Sequence, residues 1–152
     1  MSLHLDILPE LVEEIKSHHR QCAVVLIGSV AKGIERPESD IDLNVFFPER
    51  DEDCDASPFV DDDNRWQLRM KGKRQGLRID VAWETYEGLK SRLEGDGAVD
   101  CWPFSCGKIL YDPQNMVEPL MAAVRLWFCR HPEIASRLLA DYTAAKQDQF
   151  ND

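Results

Sequence analysis

Two aspartates, Asp40 and Asp42, stand one residue apart at the start of the apolar run "IDLNVFF". On a strand both carboxylates share one face, while Ile41 and Leu43 turn toward the core. Two carboxylates held this close repel each other unless a cation lies between them. Such a pair of hard oxygen ligands suits Mg²⁺, which takes one or two protein carboxylates together with substrate phosphates. The pair predicts a magnesium site, but alone it also fits two acids that cap a turn at a solvated strand edge.

A glycine and a serine, Gly28 and Ser29, end the preceding apolar run. A glycine after a buried strand lets backbone N–H groups approach an anion, and a helix that opens at the serine adds its positive end. We therefore predict a phosphate seat, although a lone Gly-Ser more often marks an ordinary strand-to-helix turn. Ten residues separate Ser29 from Asp40, so adjacent strands would bring the seat and the acids to one edge of a sheet. Lys32 is a further candidate for a triphosphate contact.

A third acid, Asp80, lies in "LRIDVAW", where apolar residues alternate with Arg78 and Asp80. An acid inside a strand is costly without a partner. If this strand lies beside Asp40 and Asp42, three carboxylates could hold two Mg²⁺ ions ~3.5–4 Å apart, as in-line phosphoryl displacement requires. Asp80 would then be the general base for the attacking hydroxyl. Arg78 is the basic residue of this region that we single out for a contact to the substrate.

The elements that must position these residues follow from the periodicity of apolar residues and from the turn signals. They are a helix ending near residue 20, strands at 22–27 and 41–47, a hairpin pairing 66–71 with 77–83 across a turn at "GKRQG", a helix at 85–94 capped by Thr85, a strand in "GKILYDP", and two helices within 116–150 that break at His131 and Pro132. Pro119 is placed in the first turn of the earlier of these two helices.

This order predicts an α/β (α+β) fold in which a mixed sheet is flanked by helices. We expect one domain over residues 1–152, with a core at about 20–112 and a helical extension at about 114–150. The extension carries Leu120, Val124, Trp127 and Phe128 at helical spacing. That face could cover the chain's own sheet, form a homodimer or receive a helical partner. Trp102 is likewise expected in the core or an interface rather than stacked on a base.

Composition narrows the classes of function. With 18 Lys and Arg against 28 Asp and Glu the formal charge is −10, which disfavours nucleic acid and anionic membranes as partners. The basic segment 65–78 is expected to be a solvated hairpin that balances the acidic segment 49–63. No apolar run is long enough to span a membrane and the start of the chain lacks signal-peptide features, so we expect a cytoplasmic protein. The five scattered cysteines are expected to be reduced thiols, with Cys101 and Cys106 the one pair that a turn could join.

The stretch "GSVAKGIERPESDIDLNVF" closely resembles the signature of the polymerase-beta-like nucleotidyltransferase superfamily, in which Gly-Ser is followed after ten residues by Asp-x-Asp. Its words "AKG" and "ERPESDIDL" resemble the small, minimal bacterial members. The resemblance implies that Gly28 and Ser29 bind a nucleoside triphosphate, that Asp40 and Asp42 bind Mg²⁺, and that Asp80 completes the site.

The resemblance further implies a transferase that moves a nucleoside monophosphate, AMP from ATP, onto an acceptor hydroxyl and releases pyrophosphate. Lys32 stands where the family usually has arginine, which keeps the positive charge but loses bidentate geometry. Small family members modify a partner protein, as antitoxins paired with an all-helical toxin, or a small antibiotic. Antibiotic-modifying relatives carry a larger helical substrate domain than residues 114–152 provide, so the acceptor stays open between a small molecule and a partner protein.

The alternative is a non-catalytic nucleotide-binding or interaction module of the same fold, such as an antitoxin-like partner of a helical protein. A module that only binds has no need of two converging carboxylates. The position of Asp80 distinguishes the two hypotheses, because a distant Asp80 would leave a site for one metal ion at most.

Overall fold

The computed structural model describes residues 3–18, 21–48 and 70–150. The acidic segment 49–63 and the predicted strand residues 66–69 lie outside these ranges. The described elements are α1 Leu3–Asp6, α2 Leu8–His18, β1 Ala23–Ile27, α3 Gly28–Lys32, β2 Ile41–Phe47, β3 Met70–Arg74, β4 Leu77–Thr85, α4 Tyr86–Glu94, a 3-10 helix Ala98–Cys106, β5 Lys108–Tyr111, α5 Glu118–Arg130 and α6 Pro132–Phe150.

The five strands form one mixed sheet in the order β3-β4-β2-β1-β5. Strands β2 and β4 are parallel, and the other neighbouring pairs are antiparallel. The predicted fold class, a mixed sheet flanked by helices, is confirmed. Because β1 and β2 are antiparallel neighbours, the end of β1 and the start of β2 meet at one edge of the sheet, where Gly-Ser and the two aspartates lie.

Side chains that alternate along the central strands belong to two apolar clusters, one on each face of the sheet. On one face, Leu43 and Val81 pack with Leu11 and Ile15 of α2. On the other face, Val25 and Phe46 pack with the 3-10 helix and α5. Asp42 and Asp80 share the second face, because each lies one residue away from a side chain of the first cluster. This second face is therefore the face of the candidate site.

The hairpin and the first helix differ from their predictions. The strand β3 continues through Arg74, so "GKRQG" is not all turn: the turn is the pair Gln75-Gly76, whose φ angles are 52° and 78°. Positive φ at both central residues is the requirement of a tight two-residue hairpin turn. The first helix divides into α1 and α2 around Ile7, next to Pro9, which lacks the N–H that a continuous helix would use.

The helical predictions in the second half hold. Thr85 caps α4 by accepting a hydrogen bond from the Gly88 N–H at 3.1 Å. Helix α5 has Pro119 in its first turn and ends at Arg130, immediately before His131. The 3-10 helix was not predicted. Its Cys101 and Cys106 are free thiols, as expected, so no disulfide joins them.

The apolar face of α5 covers the chain's own sheet, which is the first of its three predicted uses. Leu120, Val124 and Phe128 are all buried in the second cluster, and Trp127 packs against it. Within the described ranges, no helix combines the length and the apolar character needed to cross a bilayer.

Candidate functional site

The register of the sheet brings Asp80 directly beside Asp42. The two residues are paired on the parallel strands β2 and β4, and Ile27 at the end of β1 faces Asp42 from the other side. Asp40 precedes β2 by one residue and, by the strand's alternation, belongs to the same face. The three acids therefore lie on one face at the edge where β1 ends.

Gly28 follows β1 and lies against the carboxylate of Asp42. Its φ of +78° is in the left-handed region, which an L side chain rarely adopts. A Cβ at this position would overlap Oδ2 of Asp42. Both the backbone conformation and the available space therefore require glycine here, and the chain turns into α3 directly beside the acids.

Ser29, the next residue, is 5% exposed, and its hydroxyl is buried without a hydrogen-bond partner. An unsatisfied buried hydroxyl costs about 1–3 kcal/mol and is uncommon in native structures. The helix α3 has five residues and is capped by Gly33; the N–H groups of Gly33 and Ile34 donate to the carbonyls of Val30 and Ser29, respectively. Because α3 is so short, its dipole adds little, and the unpartnered hydroxyl is the stronger sign of an anion site.

Asp42 carries the electrostatic cost of the cluster. Burial is the largest cause that raises its pKa from 3.8 to about 6, followed by repulsion from Asp80 and then from Asp40. Lys146 and Lys32 act in the opposite direction and favour the charged form. Asp42 is therefore harder to ionise than a free aspartate, because the two lysines do not offset burial and the two neighbouring acids.

Asp40 is paired with Arg78. The guanidinium donates from Nε to Oδ1 and from Nη2 to Oδ2, each at 3.0 Å. The hydrogen bond to Asp40 is also the largest cause that raises the pKa of Arg78. Since the Arg78 side chain is 61% exposed, the pair is worth at most about 1 kcal/mol. Arg78 thus bonds to both carboxylate oxygens of Asp40, which a cation would also use. Breaking this ion pair costs little free energy because it is exposed to water.

The loop that precedes Asp40 is fixed by a residue that sequence reasoning missed. His4 of α1 is 3% exposed and donates from Nε2 to the Ser39 carbonyl at 2.7 Å. The Ser39 hydroxyl accepts from the Arg36 N–H at 2.8 Å. These bonds hold the backbone immediately before Asp40. A lone histidine in an N-terminal helix gives no signal of this role, because its partner lies 35 positions away.

Lys32 lies between two aromatic rings. Its Nζ is 4.8 Å from the ring centroid of Trp102 and 4.6 Å from that of Tyr142, distances at which cation–π attraction acts. Burial is the largest cause that lowers its pKa. Trp102 packs against the second apolar cluster, as expected, but it also contacts this candidate site residue. Trp102 and Tyr142 were not predicted as site residues, because neither stands near the motif in sequence.

The acids fit a cation that arrives with its own ligands. Among the residues that the structure describes, no group of three or more His, Cys, Asp or Glu side chains is arranged to hold a metal ion. Asp80 and Asp40 nevertheless repel the charge of Asp42, and a cation bound among these carboxylates would offset that repulsion. Mg²⁺ commonly keeps waters and uses one or two carboxylates with substrate phosphates rather than a preformed protein cage. Asp40, Asp42 and Asp80 are the residues that could hold it.

The chain was compared with curated protein sequences, solved structures and family models. No curated protein sequence matches the chain. The solved structure "Crystal structure of the toxin-antitoxin with AMP-PNP" is similar at 17% identity and a TM-score of 0.45, over 89% of this chain and 97% of that chain. The family model described as a nucleotidyltransferase domain matches residues 8–102, which are more than half of the chain and contain the Gly-Ser motif and all three acids. The resemblance found in the sequence is thereby confirmed, and the chain belongs to the nucleotidyltransferase domain family.

Proposed function

We propose that the chain is a Mg²⁺-dependent nucleotidyltransferase that moves AMP from ATP to an acceptor hydroxyl and releases pyrophosphate. Family membership supplies the reaction class, that of a transferase. The observation that carries the proposal is the pairing of Asp42 with Asp80 on adjacent parallel strands, beside the Gly-Ser turn at the end of β1. A phosphate seat and converging acids at one sheet edge are the parts that phosphoryl transfer needs.

The donor nucleotide would be held by its triphosphate. Gly28 leaves the backbone open to close approach, and the buried Ser29 hydroxyl is free to donate to a phosphate oxygen. Lys32 supplies a positive charge that its two aromatic neighbours keep in place. Hydrogen bonds to charged oxygens are the stronger kind, so these few contacts would suffice to fix the triphosphate.

The three acids would bind the metal ions, and one of them would deprotonate the acceptor hydroxyl. Asp40, Asp42 and Asp80 would hold the two Mg²⁺ ions, and bound Mg²⁺ would supply neutralisation of the charge that develops on the phosphate oxygens. Asp80 would accept the proton of the acceptor hydroxyl. The acceptor oxygen then forms a bond to the α-phosphorus, the bond from that phosphorus to the bridging oxygen breaks, and pyrophosphate leaves. Because Arg78 bonds to both oxygens of Asp40, the ion pair would compete with a cation for that carboxylate.

The acceptor would be a hydroxyl of a small molecule or of a partner protein. A non-catalytic binding module would gain support from a distant Asp80, whereas Asp80 pairs in register with Asp42. That register supports the enzyme over the binding module.

The proposal is tested by giving the full chain each nucleoside triphosphate, labelled at the α-phosphate, with Mg²⁺ and a cell lysate. We expect label from ATP on one acceptor and none when the chelator EDTA is present. An Asp42→Asn variant should transfer nothing while keeping its fold, and the exposed Asp96→Asn variant is the matched control. Metal-dependent transfer by folded Asp42→Asn would refute the site. A parallel reaction uses ATP labelled at the γ-phosphate, and labelling of an acceptor from that ATP but not from α-labelled ATP would refute the reaction.

A further inference from the structure

The last helix, α6, sends one stripe of side chains toward the rest of the chain. Ile134, Ala135 and Leu138 pack against the second apolar cluster. Tyr142 and Lys146 continue the stripe at intervals of four residues and are half-buried, while the residues between them are exposed. Positions four apart lie on one helix face. The packing of the start of α6 therefore carries its polar end to the candidate site.

The polar end of α6 meets the phosphate seat. The Tyr142 ring is 4.6 Å from Nζ of Lys32 and 5.7 Å from the Trp102 ring. Lys146 Nζ is 5.6 Å from the centroid of the same tyrosine ring. Lys146 also lowers the pKa of Asp42 through its charge, so its ammonium lies near enough to act on that acid. Helix α6 thus adds a second lysine beside the first.

Two buried hydroxyls, those of Ser29 and Tyr142, lie close together at this point. Burial is the largest cause that raises the pKa of Tyr142, and hydrogen bonding from Ser29 acts in the opposite direction. When one hydroxyl donates to the other, the second O–H is still buried without an acceptor. Such a donor is costly unless a third group accepts from it.

The charges point to the nature of that third group. Lys32 and Lys146 repel each other, as the lowered pKa of Lys32 reflects in part. Two ammonium groups and two hydroxyls offer only hydrogen atoms to an anion placed among them. Asp42 is a poor partner for all four groups, because burial, Asp80 and Asp40 all oppose its charge. A group that satisfies all four would need several acceptor oxygens and more than one negative charge, which the end of a polyphosphate has.

We propose that Tyr142 and Lys146 of α6 bind the β- and γ-phosphates of the nucleotide together with Ser29 and Lys32, and so select nucleoside triphosphates over monophosphates. This inference rests on the proposed function, because it deepens the same site. It also gives the helical extension a role in substrate binding that does not depend on the acceptor.

The test measures binding of α,β-methylene-ATP, which resists transfer, and of AMP to the full chain with Mg²⁺ by calorimetry. Lys146→Gln should weaken binding of the triphosphate analogue at least about tenfold, and Tyr142→Phe about two- to tenfold, with AMP binding unchanged. Lys108→Gln, at an exposed position of β5, makes the same change in net charge and should leave both affinities unchanged.

The outcomes separate this inference from the proposed function. Equal weakening of the two nucleotides by Lys146→Gln, or no weakening by either variant, would overturn the role of α6 even if transfer to an acceptor is observed. Loss of the preference for the triphosphate in these variants would support the inference even if the chain transfers nothing. A wild-type chain that binds neither nucleotide would overturn both.

Discussion

Replacing Asp42 by asparagine should make the protein more stable at neutral pH. Asparagine keeps the shape of the side chain and removes the charge that burial, Asp80 and Asp40 all oppose. Because the folded-state pKa is raised, the folded protein binds this proton more tightly than the unfolded chain does. The ionised group therefore costs stability above the folded pKa of about 6 and costs nothing below the unfolded value near 3.8.

The size of the effect follows from the shift. A rise from 3.8 to about 6 is roughly two pKa units, and each unit corresponds to about 1.36 kcal/mol. The upper bound is therefore about 3 kcal/mol, and residual contact with water reduces the expected gain to about 1–2 kcal/mol. For a chain of this length, each kcal/mol raises Tm by roughly 2–4 °C.

The assay is urea unfolding of wild type and Asp42→Asn in EDTA, at a series of pH values from 4.5 to 8.0. The difference in unfolding free energy should widen as pH rises to about 6 and stay constant above about 7. Asp96→Asn, at an exposed position, is the control and should show no such widening. A variant that is less stable than wild type at pH 7.5, or a difference that does not change with pH, would refute the proposed repulsion.

Three further predictions concern the same edge of the sheet. Gly28→Ala should lower the free energy of unfolding by more than Gly33→Ala does. Both positions have positive φ, which costs a non-glycine residue about 1–3 kcal/mol, but only at Gly28 would the new Cβ overlap Asp42. Equal losses in urea unfolding would contradict that contact. Mg²⁺ should raise the Tm of the wild type in a concentration-dependent manner and leave Asp42→Asn unchanged in thermal melts, whereas equal shifts would place the cation elsewhere. Arg78→Gln should lower the Mg²⁺ concentration for half-maximal stabilisation by up to about fivefold, since the ion pair with Asp40 no longer competes, and an unchanged midpoint would argue against that competition.

The sequence alone predicts how the candidate site residues that are near one another in the chain are placed. Strand alternation places Asp40 with Asp42 and separates Asp80 from its apolar neighbours, and the short connection from Ser29 brings the Gly-Ser turn to the same edge. These inferences need only chain geometry over a few residues. The pairing of Asp42 with Asp80 is different, because the register of two strands that are distant in sequence depends on the packing of the whole sheet.

The contribution of α6 could not be predicted for a related reason. Tyr142 and Lys146 are four residues apart, but that spacing is common on solvated helix faces and carries no chemistry by itself. Their relation to Lys32 depends on how the start of α6 packs on the second apolar cluster. His4 is a similar case, since its bond to Ser39 exists only once α1 lies beside the loop before Asp40.

Two unfavourable features meet beside the Gly28 turn. The buried Ser29 hydroxyl lacks a hydrogen bond of good geometry, and the charge of Asp42 is opposed by burial and by two other acids. A purely structural turn would be more stable without them, because a different residue at 29 or 42 would remove the cost. A nucleotide with its metal ion relieves both together: a phosphate accepts from Ser29, and the cation that accompanies it neutralises Asp42. That a single ligand would resolve independent costs favours a nucleotide–metal complex over either component alone.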